Sequence, residues 1–67
     1  MIDTGITDWL VSYKRDDDGP TSTNIVHARS SANIDREFAE CAWYSMRAAR
    51  LGEVEAARAK GMPERWV

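Results

Sequence analysis

The chain has 67 residues, with nine Lys or Arg against eleven Asp or Glu, one His, one Cys and three Trp, for a formal net charge of −2. That length holds one small domain and no second one, and the acidic balance removes the simplest electrostatic case for a nucleic-acid or membrane-surface binder. No apolar run approaches the roughly 18 residues of a membrane span, no secretion signal is evident, and a lone Cys cannot staple a fold, so no membrane and a reducing, cytoplasmic setting are expected.

Met1 to Gly5 reads as a short, polar, frayed start. From Ile6 to Arg15, Trp9, Val11 and Tyr13 alternate with Asp8, Ser12 and Lys14, a period of two that predicts a strand over 6–15. Leu10 interrupts the polar side, so that face is expected to be partly covered as well. Asp16-Asp17-Asp18-Gly19-Pro20 places three acids before the two strongest chain punctuators and predicts a hairpin loop. A second strand over 21–29 follows, with Thr23, Ile25 and His27 on one face and Asn24, Val26 and Ala28 on the other.

Asn33 reads as an N-cap, with Asp35 and Glu37 on the first turn of a helix over 34–51 that contains neither Pro nor Gly. At helical spacing Ile34, Phe38, Cys41, Ala42, Ser45, Ala48 and Ala49 share one arc, its core face. Gly52 interrupts, because a single helix from Ile34 to Lys60 would be about 40 Å long, too long for so small a body. A short helix over 53–60 is predicted, stopped by Gly61-Met62-Pro63, and a tail over 62–67 that docks back or adds a short edge pairing. The expected architecture is one α+β domain: an antiparallel hairpin packed on a long amphipathic helix, then a short second helix (ββαα).

The stretch from Ala42-Trp43-Tyr44 through Leu51-Gly52 to Ala56-Ala57 loosely resembles one helix-turn-helix unit of a tetratricopeptide repeat. Such units need at least about three copies to bury a continuous core. The resemblance therefore implies a break at Gly52 and nothing about function.

On the predicted long helix Arg36, Trp43, Arg47 and Arg50 fall opposite the core, at i−7, i+4 and i+7 from the Trp. A Trp with Arg neighbours is the composition of an interface hot spot, so these four are the candidate partner-binding residues. The competing reading covers Trp43 with the second helix or the tail. Asp16, Asp17 and Asp18 form a candidate acidic contact, but they fail the calcium-loop spacing: acids should alternate, and position twelve is His27 rather than Glu. Cys41 reads as a small core residue, and His27 as a sheet-surface or partly buried histidine with no nucleophile or second His to work with. No phosphate loop, Cys-x-x-Cys or paired-carboxylate cleft is present, so no enzyme, cofactor or metal is expected.

Below about 70–80 residues one core rarely supplies more than ~3–5 kcal/mol, which favours association. The leading expectation is a non-enzymatic module that masks or bridges a surface on a larger protein or complex, the profile of small inhibitors of host complexes encoded by phages and mobile elements. Two alternatives follow from the same residues. One is a nucleic-acid module, since Arg29 to Arg65 carries seven bases against six acids and Trp43 or Trp9 offers a stacking platform. The other is a homodimeric structural subunit with Trp43 and Val54 buried across its axis.

Overall fold

The computed structural model describes residues 5–67; the polar start expected at 1–5 lies, for residues 1–4, outside them. Four strands and two short helices alternate as β1 (Thr7–Lys14), β2 (Ser22–Ala28), α1 (Ser31–Glu37), β3 (Trp43–Ala48), α2 (Glu53–Ala59) and β4 (Glu64–Trp66). They build one sheet of order β3-β1-β2-β4. β1 is antiparallel to β2 and to β3, whereas β4 runs parallel to β2.

The hairpin forms as its alternation predicts. Trp9 lies opposite Val26 and Val11 opposite Asn24, which sets Trp9, Val11 and Tyr13 on one face and Asp8, Leu10, Ser12 and Lys14 on the other. The loop closes through Gly19 N–H donating to the Asp16 carbonyl at 3.0 Å.

The long helix over 34–51 does not exist, and with it falls the ββαα arrangement of a hairpin packed on that helix. α1 starts at Ser31 and is over by Phe38, after seven residues, with Ser30 rather than Asn33 at its N-cap and no acid in its first turn. Trp43–Ala48 is a strand. The reason lies in what each conformation buries. A helix would have turned Ala42, Ser45, Ala48 and Ala49 inward, little apolar area for its length. The strand turns Tyr44 and Met46 inward against the core instead, and each Å² of apolar area removed from water contributes about 25 cal/mol. It also gives β1 a second hydrogen-bonded neighbour, so that β1 is a central strand. Ser45 and Ala48 are left exposed, and Cys41 sits half-buried in the turn after α1. The helix-turn-helix likeness fails for the same reason.

The break at Gly52 and the second helix do appear. Gly52 holds a left-handed φ of 84° ahead of α2, Glu53 and Glu55 occupy the first turn, and Arg58 the last. At the far end Gly61, with φ 83°, donates to Arg58 O and Met62 N–H to Ala57 O, at 3.0 and 3.1 Å. This is the paired Schellman closure of a helix C-terminus. The tail supplies β4, with Ile25 N–H donating to Pro63 O and Val67 N–H to His27 O.

From β2 the chain crosses β1 through α1 to reach β3, then returns over β1 and β2 through α2 to reach β4. Two crossovers running in opposite directions keep one hand only if their helices take opposite faces, and they do. On one face Ile34 and Phe38 of α1 close a core with Val11, Val26 and Ala28. Tyr13 and Tyr44 flank the Phe38 ring at 5.1 and 6.1 Å, and the Arg65 guanidinium lies 5.1 Å over it. On the other face α2 lies along β2, where Ile25 and Ala57 are buried. Among the described residues no helix is long and apolar enough to cross a membrane.

Candidate functional site

The four residues expected to line one helix face are dispersed. Arg36 is exposed on α1, on the side of the sheet away from Trp43. Arg50 is exposed in the β3–α2 connection, where its backbone N–H is held by the Glu53 carboxylate. Trp43 and Arg47 stay together, both on the α2 face of β3, but four strand residues separate them by roughly 13 Å rather than one helical turn. Arg47 is clamped in a two-pronged ion pair by Glu53, at 2.7 and 2.6 Å. The same two prongs, with the Arg50 N–H behind them, hold the Glu53 carboxyl at about 2 against its usual 4.5.

Trp43 is 48% exposed. Neither α2 nor the tail covers it, contrary to the alternative of a buried indole. It forms one wall of a shallow depression of ≈ 390 Å³ with Lys14, Asp17, Thr21 and Ala42. The sheet produces this grouping: Lys14 lies directly opposite Trp43 on the neighbouring strand, and the hairpin loop brings Asp17 alongside. Asp16 and Asp18 remain on the exposed loop tip. In the next rung inward, Ser45, Ser12 and Thr23 stand side by side across β3, β1 and β2, with Ser12 and Thr23 hydrogen-bonded at 3.0 Å. The result is an indole edge flanked by one cation, one anion and a row of hydroxyls, open to solvent.

A second constellation forms at the opposite end of the same face. His27, 5% exposed, is held by two carboxylates, with Nδ1 2.7 Å from Asp8 Oδ1 and Nε2 2.9 Å from Glu64 Oε1. Trp66 stacks on the imidazole at 4.2 Å and 24° while remaining 68% exposed. Arg58 of α2 grips Glu64 from the other side at 2.6 and 2.9 Å. Burial by itself would push the imidazole down, but the hydrogen bonds to Glu64 and Asp8, reinforced by both charges, outweigh it and hold His27 above its usual 6.5. Arg58, then His27, draw the Glu64 carboxyl to about 2. Both ring nitrogens are occupied, and the two carboxylates sit at opposite ends of the ring rather than converging on a shared point, so the group is a clasp that fastens β4 to β2.

Sequence reasoning placed His27 on its correct face but missed the clasp. Asp8 was reachable, because the hairpin register sets it opposite His27. Glu64, Trp66 and Arg58 were not, since they arrive through a parallel pairing with no local signal. No family model, curated protein or solved structure matches the chain.

Proposed function

We propose that the protein is a non-enzymatic interaction module that masks or bridges a surface on a larger protein partner, and that it docks through the Trp43 depression. The observation that carries this reading is the exposure of Trp43 on a sheet face, beside Lys14 and Asp17. A large aromatic standing in solvent within a concave, mixed-charge setting is the composition that concentrates binding energy at interfaces. The preferred partner element is a segment presenting an apolar side chain for the indole with charged groups on either side. Nucleic acid is disfavoured at this surface: Lys14 is its one cation, Asp17 adjoins it, and Arg47 is already neutralised by Glu53.

The test uses reconstituted binding with a purified partner. Trp43→Ala, and separately Lys14→Glu, should each weaken binding by tenfold or more while circular dichroism stays unchanged. Full affinity in both variants would move the docking site elsewhere, and an affinity that falls steeply with salt for an oligonucleotide would favour the nucleic-acid reading.

A further inference from the structure

The sheet's two edges are built differently. β4 contributes three residues, begins directly after Pro63 and carries Glu64 and Arg65, the short, charged, proline-flanked kind of edge that resists further pairing. β3 contributes six residues with no Pro and no Lys, and its single charged side chain, Arg47, is neutralised by Glu53. Among the described residues β3 pairs with β1 alone.

The phase of the ladder identifies the backbone groups left over. Asp8 O accepts from Ala49 N–H at 2.8 Å and Lys14 O from Ala42 N–H at 2.9 Å, so the even-numbered residues of β1 face β3. With the observed register, residues 43, 45 and 47 turn their backbone toward β1, and Tyr44, Met46 and Ala48 turn theirs outward.

We infer that this edge pairs antiparallel with β3 of a second copy of the chain, in the register that centres Ser45 on the two-fold axis. Cross-strand neighbours must share a face, so a symmetric pairing is centred on a residue, and Ser45 and Met46, the two in the middle of the strand, give the longest overlap. Centred on Ser45, Trp43 lies opposite Arg47 of the second copy on one face, and Tyr44 opposite Met46 on the other, and each contact occurs twice. Guanidinium over indole and thioether beside an aromatic ring are both favourable. Centred on Met46, Trp43 would meet Ala49 and Arg47 would meet Ser45, making neither. The outward groups of Tyr44 and Met46 then bond to each other's counterparts, and two four-stranded sheets become one of eight. The pairing uses the strand's edge, but it sets Arg47 of the second copy against the Trp43 indole, so a second copy and a docked partner would share that side chain.

Ser45 supplies the test, because it is exposed in the single chain and faces its own counterpart in the dimer. Sedimentation of the wild-type chain over a concentration series should show the mass of a dimer that dissociates on dilution. Ser45→Lys and Ser45→Glu, each alone, should be folded monomers, since like charges stand directly opposed; mixed one to one, they should recover the dimer. In the wild type the Tyr44 and Met46 amides should exchange slowly when dimeric and at least tenfold faster when diluted. A wild-type chain that stays monomeric, a Ser45→Lys variant that dimerises normally, fast exchange at both amides in the dimer, or a mixture that fails to recover would each overturn the pairing. So would a monomer whose β3 edge instead takes up another protein's strand.

Discussion

His27 and Glu64 together give the protein a stability profile with two limbs. The folded value of His27 lies above 6.5, so its contribution is complete below 6.5 and is lost as pH rises through that folded value, when the ring surrenders one of its two donated protons. Glu64 works in the opposite sense. Drawn from 4.5 to about 2, it contributes fully above 4.5 and loses that contribution as the pH falls toward 2. A melting-temperature series should therefore show a plateau between about 4.5 and 6.5. His27→Gln should flatten the alkaline limb and leave most of the acid limb, since Arg58 still holds Glu64. An alkaline limb unchanged in that variant would place the titrating group elsewhere.

The connection between α2 and β4 turns on Gly61, whose φ of 83° lets one residue reverse the chain and donate to Arg58 O. A Cβ there would meet nothing within 4 Å, so the penalty for Gly61→Ala is purely one of backbone conformation, about 1–2 kcal/mol. Gly61→Asn should lose less, because Asn tolerates the left-handed region. Denaturant midpoints of the two variants check the order. Gly61 also illustrates what was legible from the residues alone. The hairpin, the α2 helix and its stop are signalled by neighbours in sequence, in alternation, first-turn acids and a closing glycine. Trp43–Ala48 was not, because Ala, Arg and Met favour a helix and only the vacant edge of β1, more than 25 residues upstream, decides for a strand. The candidate patch inherited that error: its members were chosen by helical spacing, and only Trp43 and Arg47 still share a surface, joined there by Lys14 and Asp17.

For the whole molecule, the placement of one helix on each face divides the stabilising contacts between two stretches of chain. Phe38, Ile34, Val11, Val26 and Ala28 all come before Ala48, with Val67 and Arg65 of the tail added at their margin. Everything that covers the other face — α2, the Glu64 and Trp66 clasp on His27, and β4 itself — comes after Gly52. That second layer is thin: Ala57 is the buried residue of α2, and β4 is three residues long.

A layer so lightly attached behaves as a hinged leaf. It can swing off as a unit about Gly52, baring Ile25 and His27 and giving up Arg65's place over Phe38 and its ion pair with Glu37, while Phe38, Ile34, Val11 and Val26 stay packed on one another. Native-state hydrogen exchange should then resolve two tiers of opening free energy. The amides of Ile25 and Val67, which bond to Pro63 and His27 across the β2–β4 seam, would belong to the lower tier, and those of the β1–β2 ladder to the upper. The tryptophan nearest that seam, Trp66, would report the lower event, and Trp9, whose indole N–H reaches Ala28 O at 3.4 Å, the upper one. One small protein thus carries an optical marker for each of its two steps.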